Sequence, residues 1–91
     1  MPPTAAVKMR IMPEGIDSDL EAIKVEGKKR LEAKGGVLVR YEEEEIAFGL
    51  KALIAFLAWP EGQDTEMLEE IFGKIPQVSS VEMIDYRRAI G

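Results

Sequence analysis

The sequence predicts an α+β protein with a ferredoxin-like βαββαβ fold, in which a four-stranded antiparallel sheet carries two helices on one face. Two observations support this prediction. An eight-residue segment occurs twice, at 13–20 and 60–67. Each copy follows a strand pattern and precedes a helix pattern and a second strand pattern. Because parallel strands need a helical crossover, which is nearly always right-handed, two such units side by side form this sheet.

The two copies of the repeated segment are PEGIDSDL and PEGQDTEM, with four identical positions and three conservative ones. Pro and Gly favour a turn, and an Asp, Ser or Thr side chain can accept hydrogen bonds from the free N–H groups of a first helical turn. In the first copy, Ser18 and Glu21 have capping-box spacing, which predicts Ser18 as the helix cap. Each copy is therefore interpreted as a turn followed by a helix start.

The flanking segments have the periodicities of the remaining elements. Apolar and basic residues alternate over 7–11, which predicts a strand. Apolar residues at helical spacing over 20–31 and 67–75 predict two helices, each ended by Gly or Pro. Strand candidates follow the helices at 37–41 and 78–86.

The segment 49–58 fits two templates. Its apolar residues at helical spacing are Leu50, Leu53, Ile54 and Leu57. Ala and Leu also favour a helix. The corresponding segment before the first copy is a strand, however, and a central strand covered by helices tolerates many apolar residues. We therefore predict a strand from Leu50 to Trp59.

The composition limits the classes of function. The 91 residues are expected to form one domain over 1–91. The absence of Cys and His removes thiol chemistry, the commonest general base and the commonest transition-metal ligand. The sequence contains neither a phosphate-binding loop nor a nucleophile–base motif, so we expect no enzyme activity, no cofactor and no metal. The formal net charge of −5 argues against nucleic-acid binding, which needs a basic surface.

The apolar segments do not predict a membrane or secreted protein. The longest apolar run, from Leu50 to Trp59, is interrupted by Lys51 and is too short to cross a bilayer. The first ten residues lack the apolar stretch of a secretory signal. We therefore expect a cytoplasmic protein without membrane association.

Four consecutive glutamates, Glu42–Glu45, join two predicted strands. We expect them to form a solvated hairpin tip whose charges discourage edge pairing. A divalent-cation site is the alternative, although four consecutive carboxylates diverge rather than converge on one ion.

Two further segments are candidates for partner binding. In the segment 46–53, IAFGLKAL, two interpretations of Phe48 are open. Phe48 packs in the core while Gly49 marks a bulge or close backbone approach, or Phe48 is an exposed aromatic anchor for a partner. Near the C-terminus, Arg87 and Arg88 are either solvated or engage a carboxylate-rich or phosphate-rich partner site.

These segments resemble archaeal translation elongation factor 1-beta and the guanine-nucleotide-exchange domain of its eukaryotic counterpart. The matching features are Ile46–Leu53, the helix start Thr65-Glu66, Val78–Glu82 and Asp85–Arg88. The resemblance covers essentially the whole chain. It implies a ferredoxin-like fold that binds the GTPase elongation factor 1-alpha and speeds the release of GDP.

The resemblance also implies roles for individual residues. An aromatic side chain at Phe48 contacts the GTPase, and a basic side chain at Arg88 reaches toward its magnesium site. Arg stands here where the eukaryotic relatives usually have Lys, and Arg87 could serve instead. The expected partner-binding residues are Phe48, Gly49, Lys51, Arg87 and Arg88. We expect a monomer when free. Because one fold hosts many functions, a small-molecule-binding regulatory or structural subunit is the alternative.

Overall fold

The computed structural model describes residues 3–88, which form four strands and two helices in the predicted order. The elements are β1 (Thr4–Pro13), α1 (Leu20–Ala33), β2 (Val37–Ala47), β3 (Leu50–Pro60), α2 (Glu66–Gly73) and β4 (Val78–Arg88). The strands form one sheet in the order β2-β3-β1-β4, and each neighbouring pair is antiparallel. This arrangement confirms the predicted ferredoxin-like α+β fold.

Side chains of the two central strands alternate between a face covered by the helices and an open face. The buried apolar residues of β1 are Ala5, Val7, Met9 and Ile11. Val7 lies opposite Leu57 and Ile11 lies opposite Leu53, so the same face of β3 is buried. The helices contribute Ile23, Leu31, Leu68 and Phe72 to this core. The core therefore lies between one face of the sheet and both helices.

The strand β3 is apolar on both faces, which explains why its spacing also fits a helix. Phe56 lies on the open face opposite Lys8. The guanidinium of Arg40 lies 3.8 Å from the centroid of the Phe56 ring, and the ammonium of Lys8 lies 5.1 Å from it. These cations cover an aromatic ring on the face opposite the core. The predicted strand is confirmed, with Pro60 as its last residue.

A close approach at Gly27 fixes α1 on the sheet. A Cβ atom at Gly27 would lie 2.5 Å from the Tyr41 hydroxyl and 3.1 Å from the Phe72 ring. The space left by the glycine admits the Tyr41 hydroxyl, which donates a hydrogen bond to the Lys24 carbonyl at 2.9 Å. Burial raises the pKa of Tyr41 to about 12. Gly27 therefore lies where α1 packs closely against Tyr41 of β2 and Phe72 of α2.

The predicted cap of α1 is wrong by one residue. Asp19, not Ser18, occupies the cap position, and its carboxylate accepts a hydrogen bond from the Ala22 N–H at 3.1 Å. Ser18 instead uses its hydroxyl to accept a hydrogen bond from the Gly15 N–H at 3.1 Å. Because Ser18 closes the preceding turn, the next acceptor along the chain caps the helix.

The predicted position of the glutamate run is also wrong. Glu42–Glu45 lie within β2, and the chain reverses three residues later at Phe48-Gly49. Successive strand residues point to opposite faces, so the carboxylates separate. Glu44 pairs with Arg10 at 3.2 Å on the open face. Over residues 3–88, no group of three or more acidic side chains is arranged to hold a metal ion.

Neither helix of the described residues is long and apolar enough to cross a membrane.

Candidate functional site

The hairpin turn between β2 and β3 forms one end of the sheet. Ala47 pairs with Leu50, which leaves Phe48 and Gly49 as the two turn residues. Both have positive φ angles, 44° at Phe48 and 85° at Gly49. This is the pattern of a type I′ turn, which suits the twist of a two-residue hairpin. The turn places the Phe48 side chain at the tip of the molecule.

Phe48 is an unusual residue for this turn position. Type I′ turns favour Asn, Asp or Gly, whereas a bulky side chain at positive φ costs about 1–2 kcal/mol. The side chain recovers none of this cost within the chain, because it is 100% exposed. A residue that is both strained and unburied points to a functional role. The structure therefore contradicts core packing of Phe48 and shows that its side chain is exposed, whereas its role as a partner anchor stays a prediction.

Gly49 has a role in the turn rather than in a close approach. A Cβ atom added at Gly49 would meet nothing within 4 Å, but its φ of 85° favours glycine. The strand pairing shifts register just before the turn, between Glu45 and Ala47. The bulge expected near Gly49 therefore lies on the other strand, and no close backbone approach requires the glycine.

Lys51 belongs to an ion network behind the hairpin tip. Its ammonium lies 3.5 Å from the Glu43 carboxylate, which also pairs with Lys24 at 3.3 Å. Lys24 pairs in turn with Glu21 at 2.9 Å. The hydrogen bond from Lys24 holds the pKa of Glu43 below its usual value, and the bond to Glu21 raises the pKa of Lys24. This network ties the hairpin to the first turns of α1.

The loop between β1 and α1 lies at the same end of the sheet. Gly49 and Lys51 line a cavity of about 230 Å³ together with Ile16 of this loop. Gln77, which precedes β4, holds the loop with its backbone carbonyl and with its side chain. Gln77 also has a positive φ, 73°. Among residues 3–88, both non-glycine residues with positive φ, Phe48 and Gln77, therefore lie at this end of the sheet.

The other two predicted site residues lie at the opposite end of the sheet. Arg88 is opposite Ala5 near the start of β1, and its guanidinium lies 3.7 Å from the Glu61 carboxylate. Arg87 is opposite Ala6 and pairs with Asp85 at 3.1 Å. Both arginine side chains are largely exposed. Adjacent strand residues point to opposite faces, so the two guanidiniums are not interchangeable.

The faces of the two arginines follow from the register. Ala5 is buried under the helices, so Arg88 points to that side, toward the turn that carries Glu61. Arg87 lines a groove on the open face with Lys8 and Phe56. Arg88 therefore extends from the end of the sheet, whereas Arg87 belongs to its open face.

The structure separates the five predicted residues into two groups. Phe48, Gly49 and Lys51 are at the hairpin end, and Arg87 and Arg88 are at the end where β3 finishes. Nine residue steps of β3, from Leu50 to the level of Trp59, separate these ends, or about 30 Å at the usual rise of a strand. A single small ligand is too short to contact both groups.

Sequence reasoning missed three residues at these ends. Gln77 gives no signal, because its importance depends on a positive φ and on two hydrogen bonds distant in sequence. Glu61 is part of the repeat, but its pairing with Arg88 depends on the strand register. Ile16 did offer a signal, since it is the one position where the two repeat copies differ in chemical type.

Residues 6–88 match the family model described as the EF-1 guanine nucleotide exchange domain. The chain is 41% identical over 90 residues to elongation factor 1-beta of Methanococcoides burtonii, which covers 93% of this chain and 96% of that protein. It is 40% identical over 84 residues to elongation factor 1-beta of Metallosphaera sedula, covering 90% and 91% of the two chains. With elongation factor 1-beta of Methanobrevibacter smithii the identity is 42% over 81 residues, covering 88% and 90%. The family match includes both ends of the sheet.

Proposed function

The chain belongs to the family of EF-1 guanine nucleotide exchange domains, and from this premise we propose that it promotes the exchange of GDP for GTP on the GTPase elongation factor 1-alpha. The observation that carries the proposal is Phe48, an aromatic residue that is fully exposed on a strained turn at the tip of the hairpin. The proposed activity needs contacts with a protein and no covalent chemistry by this chain.

Exchange follows from differential binding. A protein that binds the nucleotide-free GTPase more tightly than the GDP-bound form weakens GDP binding by the same factor. A residue contributes to exchange either by adding affinity for the GTPase or by a contact that improves when GDP and its magnesium ion have left. The proposal therefore requires surface groups that are available to a partner.

Phe48 meets this requirement as an apolar anchor. Full burial of a Phe side chain contributes about 1.5–3 kcal/mol relative to leaving it exposed. The two-residue turn holds the side chain outward before the partner arrives, so little conformational entropy is lost on binding. We expect Phe48 to enter an apolar pocket of the GTPase and to supply affinity.

Arg88 meets it as a mobile cation. A GTPase holds GDP through its phosphate loop and a magnesium ion that neutralises the phosphate charge. A guanidinium placed beside the acidic ligands of the magnesium ion would compete with the metal for them. The present partner of Arg88, Glu61, is 3.7 Å away and the arginine is exposed, so the existing ion pair contributes little stability and can be exchanged. We therefore assign the magnesium-directed role to Arg88 rather than to Arg87.

Contact at both ends sets a requirement on the partner. It must present an apolar surface and an anionic surface about 30 Å apart, because β3 spans that distance. This separation is about the diameter of a small domain. The protein would therefore span two regions of the GTPase.

The test is the release of a fluorescent GDP from purified elongation factor 1-alpha in excess unlabelled nucleotide. We expect the wild-type protein to accelerate release strongly. Phe48→Ala and Arg88→Ala should each slow it, while two matched surface changes on α1, Val25→Ala and Lys28→Ala, should leave it unchanged. Val25 and Lys28 are exposed, like Phe48 and Arg88, but they lie on the solvent-facing side of α1.

Two outcomes would contradict parts of the proposal. A folded wild-type sample that does not accelerate GDP release would contradict the exchange function and favour the small-molecule-binding alternative. Acceleration by the wild type that persists in both the Phe48 and the Arg88 variants, with unchanged melting temperatures, would contradict the assignment of the site residues.

A further inference from the structure

The loop that precedes α1, residues 14–19, places a second exposed apolar side chain beside the hairpin tip. Ile16 is 72% exposed, although Ile is among the residue types most often buried. It lines the same cavity as Gly49, the neighbour of Phe48 in the turn. Ile46, two residues before Phe48, is also exposed. Three exposed apolar side chains therefore lie near this end of the sheet, and Ile16 and Phe48 are the most exposed of them.

The repeated segment supplies an internal comparison for Ile16. Gln63 occupies the corresponding position in the second copy. Its side-chain amide donates a hydrogen bond to the Lys34 carbonyl at 2.9 Å, which ties that turn to the end of α1. Ile16 cannot form such a bond. The same turn thus carries an inward-bonding polar residue in one copy and an outward apolar residue in the other, so folding of the turn does not require the isoleucine.

The loop that carries Ile16 is held at both ends by one residue. The Gln77 carbonyl accepts a hydrogen bond from the Glu14 N–H at 2.8 Å. The Gln77 side-chain oxygen accepts another from the Asp19 N–H at 2.9 Å. Gln77 adopts a φ of 73° while it makes these bonds, a conformation that non-glycine residues rarely take. Within the loop, Ser18 bonds to Gly15 through both its backbone and its hydroxyl.

We propose that Ile16 is a second apolar contact for the GTPase, adjacent to Phe48 on the same partner surface, and that Gln77 is a positioning residue that fixes the loop carrying it. The inference rests on the proposed exchange function. The occupant is the apolar surface of elongation factor 1-alpha that covers Phe48, because Ile16 lies beside the same hairpin turn as that residue. Fixing the loop in advance lowers the entropy lost when the surface is covered.

The experiment measures GDP release from elongation factor 1-alpha as a function of the concentration of this protein, which separates the half-saturating concentration from the maximal rate. Ile16→Gln introduces the residue of the second repeat copy, so we expect the fold to be retained. It should raise the half-saturating concentration about tenfold, which corresponds to about 1.4 kcal/mol, and leave the maximal rate within about twofold. Val25→Gln, at a comparably exposed site on α1, should change neither quantity.

The role of Gln77 is tested with Gln77→Gly in two backgrounds. Glycine tolerates the positive φ and keeps the backbone carbonyl, so only the side-chain bond to Asp19 is lost. We expect a rise of about threefold in the half-saturating concentration of the otherwise wild-type protein, because one hydrogen bond that fixes the loop is lost. In the Ile16→Gln background we expect no further rise, because the side chain that Gln77 positions is gone. An equal rise in both backgrounds would overturn the positioning role.

The outcomes for Ile16 are distinguishable from those for the function. If the wild type accelerates release and Ile16→Gln matches it, with equal melting temperatures, the Ile16 contact is overturned and the exchange function stands. If the folded wild type neither binds the GTPase nor accelerates GDP release from it, the exchange function is overturned. The proposed Ile16 contact is then overturned as well.

Discussion

The two ends of the sheet present different chemistry to a partner. At the hairpin end, Phe48 is uncharged, strained and fully exposed. At the opposite end, Arg88 is the last residue of β4, carries a charge and has an ion-pair partner in Glu61. One end offers an apolar group fixed by backbone geometry, and the other offers a cation that can exchange one carboxylate for another.

This difference indicates separate contributions to nucleotide exchange. Burial of an apolar side chain is non-directional and stabilises the complex with or without nucleotide, so Phe48 should act mainly on affinity. A cation that competes with magnesium for its ligands interacts better after the metal has left, so Arg88 should act mainly on the maximal rate of GDP release. The comparison can be tested by replacing Phe48 or Arg88 with alanine and by raising the salt concentration.

The largest loss of exchange efficiency is expected when Phe48 and Arg88 are both replaced by alanine. Phe48→Ala and Arg88→Ala should each lower the efficiency of exchange, the rate at limiting concentration, by about 30-fold, as expected for a central contact worth about 2 kcal/mol. Groups more than about 10 Å apart act additively in most proteins. The double variant should therefore lose about 1000-fold.

The same titrations separate the two kinds of loss. The Phe48 variant should show a raised half-saturating concentration, and the Arg88 variant a lowered maximal rate. A double variant no worse than either single variant would mean that the two ends act as one unit and would contradict the comparison.

Salt should distinguish the two ends by a smaller amount. Raising the ionic strength from about 0.05 M to about 0.5 M shortens the screening length from about 14 Å to about 4 Å. The ratio of wild-type to Arg88→Ala efficiency should fall by about threefold to tenfold, because the contribution of Arg88 is electrostatic. The ratio for Phe48→Ala should stay within about twofold. Equal salt dependence of the two ratios would show that both contacts have the same physical origin.

The fold could be predicted because its signals are repeated along the chain. The segment that became β3 fits a helix locally, and only its place before the second PEG copy indicates a strand. Alternation in β1 and the apolar positions of α1 give the covered face directly. The cap at Asp19 and the position of Glu42–Glu45 were not predictable at this level, because each depends on where a neighbouring turn closes.

Candidate residues for the site could be proposed from the sequence, but their arrangement could not be predicted. A Phe-Gly pair after a charged strand fits a buried corner as well as an exposed tip, and the choice depends on the register that pairs Ala47 with Leu50. The faces of Arg87 and Arg88 depend on a bulge in β4, since the register of β4 against β1 shifts between Lys8 and Met9. A register shift of this kind has no local sequence signal here.

The most direct test of the account replaces Phe48 with the residue that the turn favours. Asn at the first position of a type I′ turn relieves the strain of a bulky side chain at positive φ, so Phe48→Asn should stabilise the fold by about 1 kcal/mol and raise the melting temperature by about 4–8 °C. The same variant should lose about 30-fold in exchange efficiency. Opposite changes in stability and exchange would support a turn residue retained for partner contact. The account would be contradicted by a Phe48→Asn variant that promotes GDP release as well as the wild type does, or that melts at a lower temperature than the wild type.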